Sequence, residues 1–400
     1  MGFALFAPIL CLESVLPASL YWRLSGYYFC HFAFIGVFSP YFSLYLKSLS
    51  LSAWDIGLVA GQMQLMRMFA PAFWGWLADR QARRISLVRL AAGVSVLAVT
   101  GLYYVRTPWP LLGAVGLLSF FWAASLPLME TLVFNHLGAH PQGYSRIRLW
   151  GSVGFIVTVL GVGVWLDHAG PWVVPTAFLV LMSGVFLFSL VVPEGRGTVR
   201  KGTAVSLKAV LAQPRVRALL GAAFCMSAAH GAYYVFYSIH LTEHGYSKTL
   251  VGLLWSLGVV VEIGVFYFLH RLLKRFSLRF LLLLAFGAAV LRFVAIGWGA
   301  GWLVVLILAQ TCHGLTFGAH HGVSISAINR WFPGQCQARG QALYSALSFG
   351  AGGLLGSVVS GWTWTAWGPA WTFSLSALFA LLGWALVALW VRDGEGEGAR

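Results

Sequence analysis

Long apolar runs, each closed by a polar or turn-forming cluster, recur along the whole chain. Leu281–Val290 and Leu303–Ala309 hold no charged residue at all. Continuous runs of this kind suit helices that satisfy their own backbone in lipid, whereas a membrane β-barrel would alternate in segments of about 10 residues. The pattern predicts twelve helices, over roughly 22–46, 54–77, 86–105, 109–135, 146–167, 171–192, 216–241, 249–271, 279–298, 301–329, 339–363 and 368–391. Thr107-Pro108, Pro141-Gln142-Gly143, Gly170-Pro171, Phe332-Pro333-Gly334 and Gly368-Pro369 mark turns between them. The most polar stretch, 193–215, divides residues 21–192 from 216–392, with tails at 1–20 and 393–400. The expectation is an all-α membrane protein of two pseudo-symmetric six-helix bundles.

Composition agrees. Only 9% of the 400 residues are charged and 59% are hydrophobic, against about 25% charged in a soluble domain. Soluble and disordered classes are excluded. The net charge of +15 invites a nucleic-acid reading, but the basic residues sit singly between apolar runs and form no basic face. Their sidedness is the signal. Twenty of the 26 Lys and Arg fall on the side of the linker and the chain ends, and three (Lys47, Arg106, Lys248) on the other. That bias predicts both termini in the cytoplasm. The five Cys form no C-x-x-C pair and read as reduced packing residues.

Sliding the chain by 195 residues aligns 23–84 with 218–279 without a gap. Matches include Gly36/Gly231, Ser43/Ser238, Ser52/Ser247, Gly57/Gly252, Arg80/Arg275 and Arg84/Arg279. Duplicated halves are the architecture of alternating-access transporters.

Five charges fall at mid-span: Arg67, Glu130, Arg148, Glu262 and Arg292. Charges are costly there and mark solute or ion pathways. Glu130 and Arg148 flank a hairpin turning near Ala139, which puts them at similar depth, suited to an ion pair or a shared substrate site. Arg67 and Glu262 are repeat equivalents. Glu262 stands among Val259, Val260, Val261 and Ile263, a setting for a reversible proton carrier. His230, Tyr233, Tyr234, Tyr237 and His240 recur at helical spacing, as do Gln310, His313, Phe317, His320 and His321. They line a polar aromatic cavity or pack helices, and His313 is a candidate relay. No Walker A loop, H-E-x-x-H or serine elbow occurs, so no enzyme, metal or cofactor is expected.

Gly75-Trp-Leu-Ala-Asp79-Arg80-Gln-Ala-Arg83-Arg84 resembles the signature loop of the major facilitator superfamily, with Ala82 in place of its second Gly. Gly75 is expected to allow close helix contact, and Asp79 to pair with Arg in a gating latch. Arg148-Leu-Trp-Gly-Ser-Val-Gly-Phe155 with Glu130 resembles the lactose permease-like proton symporters. Pro127-Leu128, Ala229-His230-Gly-Ala-Tyr233-Tyr234 and Leu254-Trp255 through Glu262 resemble the phenylpropionate permease group more closely. The resemblance implies a monomeric inner-membrane importer of a small solute with protons, with no nucleic-acid partner. Counterparts of Glu130, Arg148 and Glu262 bind substrate or couple protons in those symporters, and those of Arg292 and His313 belong to the coupling network. Phe155 stands for their sugar-stacking Trp and Thr316 for a carboxylate. That favours an aromatic carboxylate, clamped by Arg148 against Phe155, Tyr233 and Tyr234, with His230 nearby. The alternatives are a sugar or nucleoside symporter, or a drug or metabolite exporter of the same fold.

Overall fold

The computed structural model describes residues 16–195 and 207–392, apart from 82, 139, 141–142, 333 and 335. The expected turn centre at Ala139, the tail residues 1–15 and 393–400, and the middle of the linker (196–206) lie outside them. Described residues form helices and connecting turns, with no strand among them. The long helices are α1 (Ala18–Ser48), α2 (Ala53–Gln81), α3 (Arg84–Gly101), α4 (Pro108–Leu137), α5 (Tyr144–Ala169), α6 (Val173–Val191), α7 (Pro214–Glu243), α8 (Lys248–Arg275), α9 (Leu278–Gly299), α10 (Leu303–Trp331), α11 (Cys336–Trp367) and α12 (Pro369–Trp390). Eleven are long and apolar enough to cross a membrane; α2, which carries Asp55, Arg67, Asp79 and Arg80, falls below that hydropathy.

The repeat extends to helix limits. Moving α1 by 195 residues gives 213–243, against Pro214–Glu243, and moving α2 gives 248–276, against Lys248–Arg275. It reaches the backbone too. Ser50 follows α1 with φ 61°, and its equivalent Gly245 follows α7 with φ 84°. This left-handed turn strains any residue but Gly. Ser52 and Ser247 then cap the next helices: Asp55 N–H donates to Ser52 Oγ at 3.1 Å, and Leu250 N–H to Ser247 Oγ at 3.2 Å.

The chain divides into two compact units, 1–42 with 69–200 and 43–68 with 201–400. In the first, α3 packs on α4 and α6. Arg89 Nη2 donates to the last carbonyls of α6 at Leu190 and Val192, and Glu194 accepts from Ile85 N–H at the start of α3. In the second, α12 packs on α7 and α9. Three of its helices depart from α geometry. His230 interrupts α7, and π-helical turns occupy Gly314–Ala319 of α10 and Ala346–Gly352 of α11. Such insertions recur at functional sites.

Candidate functional site

In the first unit, the Tyr144 hydroxyl donates to Glu130 Oε1 at 2.7 Å, and its ring stacks on Phe134 with centroids 4.8 Å apart. The Arg148 guanidinium carbon lies over the Phe32 ring, 3.6 Å from its centroid, a cation–π contact. Gly151 makes that possible: a Cβ there would sit 2.6 Å from Phe32 and 2.7 Å from Arg148 Nη1. Phe155 is buried beside α1, whose Gly36 leaves room for its backbone. Tyr144 and Phe32 are not marked by any sequence pattern, because the contacts joining Phe32 to α5 span more than a hundred residues.

The signature loop ends in an ion pair, Arg84 Nη2 to Asp79 Oδ1 at 2.9 Å, and Arg80 lies over Trp76. Arg83 precedes the first turn of α3. Gly75 is a correction. It does not mediate close helix contact, since an added Cβ would meet nothing within 4 Å. It opens instead on a cavity of about 220 Å³ lined by Trp74, Asp79, Arg84, Pro127 and Thr131. The Asp79 side chain is 76% exposed, and exposed pairs contribute about 0–1 kcal/mol. Asp79→Asn is therefore expected to leave thermal stability within about 0.5 kcal/mol; a larger loss in a melting assay would show that the loop holds more than this pair.

The second unit gathers most of the remaining candidates. Arg292, 1% exposed, donates Nε to Ala309 O at 3.0 Å, Nη1 to Thr316 Oγ1 at 3.1 Å and to His230 Nε2 at 3.3 Å, and Nη2 to Gln310 Oε1 at 3.3 Å. Its guanidinium covers the Tyr233 ring at 4.2 Å. His230 Nδ1 is 2.8 Å from Met226 O. An N–H there donates to the carbonyl and leaves Nε2 as the acceptor from Arg292, which is the neutral tautomer. Arg292 therefore rests on neutral acceptors, with no carboxylate partner among the described residues. Thr316 is one of these acceptors.

Glu262 Oε2 lies 3.8 Å from His313 Nε2. Glycines bring α8 and α10 this close: a Cβ at Gly258 would sit 3.2 Å from His313, and one at Gly318 3.2 Å from Glu262 Cγ. The π-helical turn widens α10, so residues four apart stack in register: His313 on Phe317 at 5.6 Å and 12°, and Phe317 on His321 at 6.0 Å and 16°. His320 turns away onto Phe286, and His240 binds the Ile296 carbonyl; both are packing residues. Tyr233 is buried beneath Arg292, whereas Tyr234 is half-buried. Arg67 belongs to this unit and hydrogen-bonds Gln64 Oε1 at 3.3 Å.

Residues 21–375 match the MFS_1 like family. The chain belongs to that family. It is a transporter of the major facilitator superfamily and not an enzyme, and it is a multi-pass protein of the plasma membrane. It is 29% identical over 366 residues to the "Probable 3-phenylpropionic acid transporter" of Escherichia coli (strain K12), covering 90% of this chain and 96% of that one. It is also 29% identical over 346 residues to the maltose permease of Geobacillus stearothermophilus, covering 85% and 87%. Among solved structures, the nucleoside transporter NupG superposes with a TM-score of 0.77 at 16% identity, over 94% of this chain and all of that one. Identity that low speaks for the fold alone.

Proposed function

We propose that this facilitator imports a small organic anion, of aryl-carboxylate type, together with protons, by alternating access of two six-helix bundles at 21–192 and 216–392. Twelve spans and cytoplasmic termini are part of the reading. At about 1.5 Å per residue, the 29 residues of α2 reach roughly 44 Å, enough to cross despite their charges. The 20-to-3 distribution of basic residues supports the orientation.

One observation carries the proton coupling. Arg292 is held by neutral groups, so Glu262, 3.8 Å from His313, is the mid-membrane acid of this unit whose charge a proton can switch. His313 is the adjoining relay. Arg148 over Phe32, with Glu130, Phe155, His230, Tyr233 and Tyr234, supplies candidate substrate contacts, and the Asp79 loop a candidate gate. Resident cofactors and metals have no part in this reading, and the transporter acts as a monomer.

Reconstituted protein with 3-phenylpropionate outside and an imposed pH gradient, acidic on the substrate side, is expected to concentrate the acid inside. A protonophore should abolish that accumulation. Accumulation that survives the protonophore would overturn the coupling. Uptake of maltose or uridine but not of the acid would overturn the substrate class, and substrate movement against the proton flow would make the protein an exporter.

A further inference from the structure

Arg67 is the mid-span charge that neither the loop signature nor the symporter resemblance accounts for. It is the fifteenth of the 29 residues of α2. Helical periodicity places it on the same face as Ile56, Met63, Ala70 and Trp74, which are 2%, 7%, 0% and 3% exposed. Arg67 itself is exposed. Its side chain is exposed from the side of α2 opposite the exposed aromatic residues Phe69, Phe73 and Trp76.

Its surroundings position it without neutralising it. Nη1 donates to Gln64 Oε1, and no carboxylate pairs with it among the described residues. Gln64 is seated on α11, where a Cβ at Gly353 would come within 3.1 Å of its amide; one residue beyond Arg67, Met68 lies against Gly350, whose Cβ would sit 2.9 Å away. The Arg67 segment is thus fixed on the π-helical turn of α11. Tyr234 lies within electrostatic reach of Arg67, Arg292 and Glu262 at once. The deep charges of this unit are then two guanidiniums against one carboxylate, one positive charge in excess. Guanidiniums take carboxylates through two parallel hydrogen bonds, and an accessible one at mid-depth has its remaining donors available for that.

We infer that Arg67 is the anchor for the carboxylate of the transported anion and sets the preference for acids over neutral analogues, with Tyr234 beside it against the organic part. The inference rests on the reading that the substrate is an anion.

The test pairs 3-phenylpropionate with its neutral amide, 3-phenylpropanamide, in binding and uptake by the full-length transporter. Wild type is expected to prefer the acid by at least tenfold. Arg67→Gln should remove most of that preference by weakening the acid and sparing the amide, and Arg67→Lys should keep part of it. A second measurement uses wild type alone. The acid, and not the amide, should slow modification of Arg67 by phenylglyoxal at least tenfold, read by peptide mass spectrometry. An acid preference that persists in Arg67→Gln, or modification unaffected by the acid, overturns the assignment while leaving the anion reading intact. Wild type that carries maltose and ignores the acid overturns both.

Discussion

Replacing Glu262 by Gln removes gradient-driven accumulation and leaves exchange of substrate across the membrane running. Gln keeps the size and hydrogen-bonding reach of the carboxyl but cannot bind and release a proton. One pH unit is worth about 1.4 kcal/mol, so a gradient of that size supports about tenfold accumulation when one proton accompanies one monoanion. The variant should fall to no accumulation, while counterflow of labelled substrate into preloaded vesicles continues at a comparable rate. The pairing of the two assays separates coupling from folding, since a misfolded variant loses both. Glu262 packs on Gly318 and faces His313 at 3.8 Å, so an isosteric change leaves the α8–α10 contact in place. Accumulation that persists in Glu262→Gln would place the proton on another group.

The repeat was legible from residue identities because equivalent positions perform equivalent backbone tasks. Ser52 and Ser247 both cap helices, and position 50 and its equivalent 245 both turn left-handed. Mid-span charges were legible because lipid tolerates few of them. The partners of those charges were not legible. Tyr144 on Glu130 and Phe32 under Arg148 depend on how helices are rotated against one another, and apolar patterning fixes that rotation weakly in a chain that is hydrophobic nearly all round. The π-helical turns at 314–319 and 346–352 leave no mark in composition, yet they stack His313, Phe317 and His321 and seat Met68 on Gly350. Glycine was the most ambiguous letter. Gly75 read as a contact residue and opens on a cavity, whereas Gly356, which no motif singles out, lies at a backbone-to-backbone crossing.

That contrast gives the second large effect. A Cβ at Gly356 would lie 2.3 Å from the Ala228 carbonyl oxygen and 2.8 Å from its Cα, and one at Gly231 only 2.2 Å from the Gly356 carbonyl carbon. The obstructing atoms are backbone, so no side-chain rotation relieves them, and α7 and α11 would have to separate. They meet where His230 interrupts α7, and the stacking of Phe236 on Trp364 at 4.5 Å would be lost with the separation. Overpacking a core costs about 1–3 kcal/mol even where side chains can yield. Gly356→Leu is therefore expected to give no monodisperse protein in detergent, or a melting temperature lowered by more than about 10 °C. Gly75→Ala, adding its methyl into open space within a helix, should leave stability unchanged or raise it by up to about 1 kcal/mol. A Gly356→Leu protein that melts like wild type would mean that α7 and α11 lie further apart than 2.3 Å contacts allow. Gly356→Ala is the graded case. If it folds, the displaced α7 carries His230 off Arg292, and the hydrogen bond at 3.3 Å is the first to open, so transport should fall before stability does.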